Sequence, residues 1–440
     1  MFCPQKNSYL QREIPMEPRL INKAVRRAMR KTLIVPDNDL PPARRLESMQ
    51  PSLFAPWVDI TQAHLGYGRP GLRIVARELV SDDPIIQSQA VHTILDKVQE
   101  TDSALHLLDL NVIYNVVNLV THTDAMIREK SILILTHLSN YYQGKQRIMA
   151  RPVIIDHFID ILWNDCKEIR YVTALCLKTL ARDRCTCEKI LQNDRIIETL
   201  LRVVCNDHTD IVVYLLNVLR KLMDYDQERP LRANAFQIMW HFMKIHDNRI
   251  VVAAMECMTQ LCKHKVGKKL ADQHDMLKEM RMYLLASDVE VMISAAGLLH
   301  YLTLTDMSKW RCKQFQWDMI QRLVTLAVAS NLPSLQLRCL QVLINLCDCN
   351  DIREHIRYIW KDKIQGIKVK THESWDGYTE FSTFGYETGV NYQTMSIEGV
   401  KTIEEDYGDG VRPVTLTSFW RRIREAKMRL LKIMDTYPYI

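Results

Sequence analysis

Glycine and proline are scarce in this chain, with only 13 Gly and 15 Pro among 440 residues. Residues that interrupt helices are therefore rare, which fits helices joined by short turns. Long apolar runs are missing too, and even residues 107–120 are broken by an Asp and three Asn. A membrane-spanning helix needs about 20 apolar residues and a signal peptide needs an apolar core near its start. We expect a soluble intracellular protein with no membrane partner.

Short motifs that carry known chemistries are also missing. The sequence has no Gly-rich phosphate loop, no His-Glu-x-x-His and no Gly-x-Ser-x-Gly. The histidines fall in turns or inside helical segments, where a lone His is more often a packed side chain than a general base. We predict that the protein is not an enzyme and that it has no catalytic residues and no cofactor.

Cysteine is present at 12 positions, scattered through apparent helices. Two close pairs, Cys185 with Cys187 and Cys347 with Cys349, lack both the two-residue spacer and the second ligand pair of a structural zinc site. We predict reduced cysteines that act as small apolar residues, and no metal. An enzyme that uses Cys and His is the competing class, and it would need a reactive thiolate.

A repeated pattern accounts for most of the chain. Apolar residues that follow a polar turn recur at steps of 41, 42, 42, 39, 41 and 44 residues. We call these residues the anchors, and they are Ile86, Ile127, Ile169, Ile211, Ile250, Val291 and Leu335. After each anchor comes a leucine-rich run. In the segment 287–305, a Ser-Asp pair predicts a helix cap, and Ala296-Gly297 predicts the close approach of a neighbouring backbone.

A period of about 40 to 47 residues is typical of armadillo and HEAT repeats. One such unit cannot bury its apolar face alone, so the units stack. The predicted fold is all-α, a right-handed superhelical armadillo/HEAT-like solenoid of about seven repeats with extended tails. The predicted divisions are a Pro-rich basic tail (1–56), the repeat array (57–350), an acidic Tyr/Gly-rich extension (351–416) and a basic amphipathic helix (417–436). Within the extension, residues 371–413 show no helical periodicity.

Charge is sorted into the tails. Residues 1–50 carry ten Lys or Arg against five acids, and residues 371–410 carry nine acids against one Lys. The N-terminal basic cluster has no aromatic platform or base-reading motif beside it, so we predict a solvated or protein-docking arm and no nucleic-acid partner.

The C-terminal helix is basic on one side and apolar on the other. Such a helix can dock on a partner, fold back on its own array, bind calmodulin or lie on an anionic membrane. We favour partner docking or self-packing and retain calmodulin as a further candidate. The candidate binding residues are Phe419, Trp420, Arg421, Ile423, Arg424 and Leu430.

A second set of candidates lies within the repeats. In well-known cargo-binding armadillo proteins, the last helix of each repeat presents an Asn, often with a Trp one turn earlier, to an extended peptide. The matching position here is ten residues after each anchor, and it is occupied by Asp96, His137, Thr179, Lys221, Gln260, Tyr301 and Asn345. Because only the last is Asn and no Trp precedes any of them, the function of nuclear-import receptors is disfavoured.

Two phrases resemble a more particular family, the radial spoke head protein 14 type of armadillo protein from ciliary and flagellar axonemes. The segment 59–68, Asp-Ile-Thr-Gln-Ala-His-Leu-Gly-Tyr-Gly, is similar to the opening of that family. Ser287-Asp288 with Glu290-Val291 and Ala295-Ala296-Gly297 resembles its late repeat. The long tails and the order Val58-Asp59-Ile60 depart from the family pattern.

The resemblance implies a structural role, as a scaffold subunit of the radial spoke in motile cilia or sperm flagella. The implied partners are other radial spoke subunits, and the implied location is the cytoplasm, the cytoskeleton and the axoneme. The alternative is a soluble adaptor that binds transient peptides in the cytoplasm or nucleus.

Overall fold

The computed structural model describes residues 68–314, 317–329, 332–367, 402–406 and 411–435, together with Lys23 and Arg27. The predicted tail (1–56) and the family-like opening (59–67) lie outside these residues, apart from those two positions. Contacts divide the chain into two compact units, Met1–Leu110 and Asn111–Ile440. In the described residues, no helix is both long enough and apolar enough to cross a membrane.

Unit one contains three described helices that pack on one another: α1 (Gly68–Glu78), α2 (Pro84–Val98) and α3 (Thr101–Asp109). Asp83 precedes α2, and its side chain accepts a hydrogen bond from the Ile85 N–H at 2.9 Å. Pro84 occupies the first turn, where its missing N–H costs nothing. Ala90 and Ile94 of α2 are buried.

Unit two holds most of the predicted repeats. Its helices before the last rung are α4 (Val112–Leu119), α5 (Ala125–Leu138), α6 (Tyr142–Met149), α7 (Val153–Asn164), α8 (Lys167–Leu180), α9 (Arg184–Leu191), α10 (Ile196–Asn206), α11 (Thr209–Met223), α12 (Glu228–Arg232), α13 (Ala235–Phe242), α14 (Asn248–Leu261), α15 (Lys265–Gln273), α16 (Met276–Tyr283), α17 (Val289–Leu302), α18 (Asp306–Gln314), α19 (Asp318–Ala329) and α20 (Pro333–Leu346).

The polar turns before the anchors act as helix caps, as predicted for Asp288. The carboxylates of Asp124, Asp247 and Asp288 each accept a hydrogen bond at 2.9 Å from the N–H two residues later. These bonds satisfy N–H groups that have no partner inside the helix. The same turns therefore fix where α5, α14 and α17 begin.

Successive anchor helices pack directly against one another. We use this name for α5, α8, α11, α14, α17 and α20, which contain the anchors of unit two. Each contacts the next, and each also packs on the helix directly before it in the chain, as α8 does on α7. The anchors Ile127, Ile169 and Ile211 are buried in this stack. The fold is therefore the predicted all-α armadillo/HEAT-like solenoid.

The Ala296-Gly297 step differs from its prediction in one respect. A Cβ built on Gly297 would lie 3.1 Å from Nη1 of Arg338, a side chain of the next anchor helix, and not against a backbone. Arg338 Nη1 also donates to the Ile293 carbonyl at 2.7 Å. The missing side chain thus makes room for a guanidinium, which the repeat pattern alone does not indicate.

The end of the array differs from the predicted division at residue 350. Helix α21 (Asn350–Gln365) continues directly from α20 and buries Ile352, Ile356 and Ile364. A two-stranded antiparallel hairpin follows, with β1 (Thr402–Asp406) and β2 (Val411–Thr415) paired from Thr402 opposite Thr415 to Asp406 opposite Val411. Helix α21 lies beyond the predicted end of the array, and β1 lies within residues 371–413, for which no helical periodicity is predicted. Gly408 and Gly410 between the two strands are a hairpin signal that the acidic composition obscured.

The last helix, α22 (Leu416–Asp435), lies within one residue of its predicted bounds. It packs against α20 and α21, so it takes the place of a further anchor helix although about 50 residues separate it from α21 in the chain. Ile423, Ala426, Leu430 and Met434 are buried, as the predicted apolar face requires. Lys427 Nζ donates to the carbonyls of Gln365 and Ile367, at 2.8 and 2.7 Å, and so caps the end of α21.

Candidate protein-binding surface

One side of the anchor helices is partly exposed along unit two. The residues six positions after each anchor are all half-buried, and they are Leu133, Leu175, Asn217, Glu256, Gly297 and Gln341. The predicted binding residues lie one turn further along the same helices and therefore on the same side. We call the surface formed by the residues six, nine and ten positions after each anchor, from α5 to α20, the ladder face.

The structure places six of the seven predicted residues on consecutive helices of the ladder face. Five are half-buried and one is buried: His137, Thr179, Lys221, Tyr301 and Asn345, and Gln260. Burial lowers the pKa of His137, which favours its neutral form. The seventh residue, Asp96, is exposed on α2 of unit one.

Thr179 and Asn345 make hydrogen bonds within the array. Thr179 Oγ1 lies 2.6 Å from the Ser139 hydroxyl and donates to the Cys176 carbonyl at 2.8 Å. Asn345 Nδ2 donates to the His300 carbonyl at 2.8 Å. The one Asn of the row thus joins two anchor helices, and its amide N–H is already used in this structure.

Gln260 is the contrasting case. Its side chain is on the ladder face but only 9% of the residue is exposed. Its Oε1 atom has no hydrogen-bond partner in the described part of the chain. A buried acceptor of this kind costs about 1–3 kcal/mol when it is left unsatisfied, and the atom has almost no surface that a bound peptide could contact.

An aromatic and basic cluster on the ladder side goes beyond the predicted row. The hydroxyls of Tyr171 and Tyr214 lie 3.2 Å apart and the ring centroids 5.3 Å apart. Lys178 Nζ sits 4.8 Å from the centroid of the Tyr214 ring. On the next pair of anchor helices, Arg220 of α11 forms an ion pair with Glu256 of α14 at 3.2 Å. Tyr171 lies two residues after its anchor and Tyr214 three residues after its own, so the repeat spacing did not indicate this pair.

A second feature that the repeat pattern did not reveal is a pair of Arg–Asp clasps between repeats. Arg128 contacts both carboxylate oxygens of Asp165 at 2.8 Å, and Arg170 contacts both oxygens of Asp207 at 2.9 Å. In each case the Arg directly follows an anchor and the Asp lies four residues before the next. Bidentate pairs of this kind fix both distance and angle, so they hold neighbouring repeats in register.

The C-terminal candidates are divided by the structure. Ile423 and Leu430 are fully buried against the array, whereas Arg424 is exposed. The side chains of Phe419, Trp420 and Arg421 lie outside the described residues. The apolar face that a calmodulin complex would need is therefore already covered by α20 and α21, which supports the self-packing alternative.

Cysteine chemistry fits a packing role in the described residues. Burial raises the pKa of Cys176, Cys262 and Cys339 to about 12, so these thiols stay protonated at neutral pH. In the close pair 185/187, one thiol is exposed and the other is buried. No group of three or more His, Cys, Asp or Glu residues within the described ranges is placed to hold a metal ion.

An open depression of about 620 Å³ lies between α10, α12 and α13, away from the anchor helices. Charged residues that line it form ion pairs. Arg202 pairs with Glu198, and Arg229 pairs with Asp194 at 3.5 Å. The depression gathers ion pairs on an exposed surface, which is unlike the desolvated acid–base sites of enzymes.

Comparison with known proteins bears on the fold. No family model matches the sequence, and no curated protein matches it either. An engineered protein of known crystal structure is similar over 83% of this chain and 79% of its own, with a TM-score of 0.61 and 13% identity. Two designed armadillo repeat proteins, one in complex with the peptide (KR)4, match over 52% of this chain and 99% of their own, with TM-scores of 0.48 and 0.49 and identities of 9% and 10%.

At these identities the likeness concerns the fold alone. The stacked anchor helices, the layered partner helices and the 0.61 match agree with one another. The chain has the fold of an armadillo/HEAT-like helical solenoid.

Proposed function

We propose that this protein is a non-catalytic scaffold subunit of the axonemal radial spoke in cilia or flagella, where it holds neighbouring proteins on the ladder face and by its tails. The observation that carries the scaffold role is the ladder face itself, a partly exposed side that continues over six consecutive anchor helices. A solenoid of this kind offers an extended binding surface instead of an enclosed pocket.

The axonemal part of the proposal rests on the sequence resemblance. The resembling phrase at residues 287–297 forms the capped start of α17 and the step at which Arg338 packs on Gly297. A cytoplasmic pool that assembles into the cytoskeleton of the cilium follows from this role.

Fractionation of ciliated cells or sperm tests the location. Detergent extraction removes soluble proteins and leaves the microtubule doublets with their bound complexes. A spoke subunit stays with the doublets in a fixed ratio to other spoke proteins. Recovery of the chain in the detergent-soluble fraction contradicts the axonemal role and favours the soluble adaptor.

Site-specific photocrosslinking tests the ladder face. A photoreactive amino acid at Leu175 would lie on the ladder face, and one at Trp163, 48% exposed on α7, would lie outside it. In isolated axonemes we expect the Leu175 variant to form adducts with spoke proteins and the Trp163 variant to form few. Equal adducts from both positions would contradict docking on the ladder face.

A further inference from the structure

We propose that a surface on α15 and α18 binds an acidic segment of a partner protein that also carries apolar side chains. The surface consists of Leu304, Met307 and Trp310 with Lys265 and Lys269, and we call it the α15/α18 patch. It is separate from the ladder face and depends neither on docking there nor on the axonemal role. Three observations support it: exposed apolar side chains, a departure from the repeat pattern and unpaired positive charge.

Apolar side chains are exposed together on α18. Leu304, in the turn before the helix, is 44% exposed, and Met307 and Trp310 are 54% and 55% exposed. Met307 and Trp310 are three residues apart and therefore lie on the same side of α18. Ser308 and Cys312 face the array instead and are buried. Neighbouring Met and Trp side chains with this exposure are typical of a protein interaction site.

The repeat pattern does not account for an apolar residue at this place. Trp310 lies 19 residues after its anchor. In four other repeats of unit two the same position is an exposed polar or charged residue, and the fifth has Pro230 in the short helix α12. The four are Gln146, Glu188, Lys269 and Glu354. Packing of the array therefore does not require a Trp here, whereas contact with a partner would.

Helix α15 lies beside α18 and supplies basic side chains to the same surface. The Ser308 hydroxyl donates a hydrogen bond to the Asp272 carboxylate at 2.9 Å, which joins the two helices. Lys269 occupies in α15 the repeat position that Trp310 occupies in α18, so the two side chains project from the same side of adjacent helices. Lys265 lies one turn before Lys269, and both are exposed.

The positive charge of α15 is not neutralised within the described part of the chain. Lys265 and Lys269 have no acidic partner among these residues. The cations of α18 do have such partners, and the pairs are Lys309 with Asp348, Arg311 with Asp275, and Lys313 with Asp351. A partner segment with Asp or Glu beside its apolar side chains would therefore complement the α15/α18 patch, whereas a basic segment would be repelled.

Carboxylates at the edge of the patch favour a protein partner over a lipid surface. Asp306, directly before Met307, has a fully exposed side chain, and the Asp348 side chain is 61% exposed. An anionic membrane would repel these groups, and its interior would desolvate them. A peptide segment can instead place its acids at Lys265 and Lys269 and leave Asp306 in water.

Selection from a phage-displayed library of random short peptides on the full chain tests the inference. We expect recovered peptides that combine several Asp or Glu with Leu, Phe or Trp, and their affinity is then measured by fluorescence anisotropy with labelled synthetic copies. Trp310→Glu is expected to weaken binding by about tenfold or more, because it removes the apolar contact and adds a repelling charge. Other repeats carry Glu188 and Glu354 at this position, so the variant should fold, which thermal unfolding checks.

A matched control and a second variant separate the sources of affinity. Trp163→Glu is the control, since Trp163 is 48% exposed on α7, outside the patch, and we expect it to change the affinity by less than about twofold. Lys265→Ala with Lys269→Ala should weaken binding by about threefold to tenfold at low salt. That difference from the natural sequence should disappear near about 0.5 M salt, where exposed charges are screened.

Several results would overturn the inference. They are the recovery of no peptide above background, recovered peptides without an acidic bias, and equal affinities in Trp310→Glu and Trp163→Glu. Vesicles that contain phosphatidylserine and lose binding in Trp310→Glu would assign the patch to a membrane instead. Converting the five acids of residues 371–400 to amides should leave the peptide affinity unchanged. A clear gain in affinity there would mean that this chain's own extension, and not a partner, occupies the patch.

Discussion

Single residues set the distances between helices in this array. The clearest case is Gly267 in α15, where a Cβ would lie only 2.0 Å from the backbone carbonyl oxygen of Leu261 at the end of α14. Backbone atoms cannot yield as a flexible side chain can. The residue is therefore required for the tight turn from an anchor helix into the next repeat.

Replacement of Gly267 by Ala should destabilise the protein. We expect the free energy of unfolding to fall by about 1–3 kcal/mol, the usual cost of overpacking, as measured by urea denaturation. Gly297→Ala is the control, because its Cβ would meet only the Arg338 side chain, at 3.1 Å. A larger loss at Gly297 than at Gly267 would contradict this reading.

The Arg128–Asp165 clasp should make stability depend on pH. Burial alone would raise the pKa of Asp165, but the hydrogen bonds from Arg128 and from the Cys166 N–H outweigh it, so the pKa is lowered overall. A lowered pKa in the folded state stabilises the protein above the unfolded value of about 3.9. That contribution is lost as the pH falls through the folded pKa.

Asp165→Asn is the test of this dependence. We expect the loss of stability relative to the natural sequence to be constant above about pH 5 and to shrink below about pH 4, in urea titrations across that range. Asp156→Asn is the control, because its pair with Arg195 is exposed, at 46% and 66%. A loss that stays equally large in acid would rule out the ionised clasp as its cause.

Elements show how far the sequence predicted the structure. The anchors, the cap at Asp288 and the bounds of α22 follow from local periodicity, and local contacts are what a sequence pattern encodes. Other contacts join residues about 40 to 90 positions apart in the chain. They are the Arg–Asp clasps, the Tyr171–Tyr214 pair and the packing of α22 on α20 and α21. Which residues meet in these contacts depends on the path of the backbone. The sequence pattern could therefore indicate the residue types but not which residues pair.

The terminal helix α22 should protect the last rung of the array. Leu430→Asp places a charge where the side chain is fully buried, and we expect α22 to detach. Hydrogen exchange should then rise in α20, α21 and α22, while α5 to α11 keep their protection. Met428→Asp, at a residue 59% exposed, is the control. Uniformly faster exchange along the whole of unit two would contradict the prediction that α22 protects only the helices next to it.

At the scale of the whole molecule, stability is a sum over neighbouring repeats. Each anchor helix of unit two contacts the ones before and after it, so a defect should spread to adjacent rungs and then fade. This expectation distinguishes a solenoid from a globular domain, in which one core defect lowers the stability of every element together.

Leu215→Ala in the middle of unit two tests this behaviour. Leu215 is fully buried in α11, and the cavity should cost about 2–5 kcal/mol locally. We expect a broader thermal transition and faster hydrogen exchange centred on α8, α11 and α14, with α20 unaffected. A transition that stays sharp and simply shifts to lower temperature would indicate all-or-none unfolding instead.

The late arrival of α22 has a consequence for protein synthesis. It ends at residue 435, some 70 residues after α21 ends at residue 365. At about 5–20 residues per second, the ribosome needs roughly 4–14 s to deliver that stretch. During that interval the apolar residues of α20 that α22 later buries are exposed to solvent. A chaperone or a neighbouring nascent chain can bind them before α22 packs on α20.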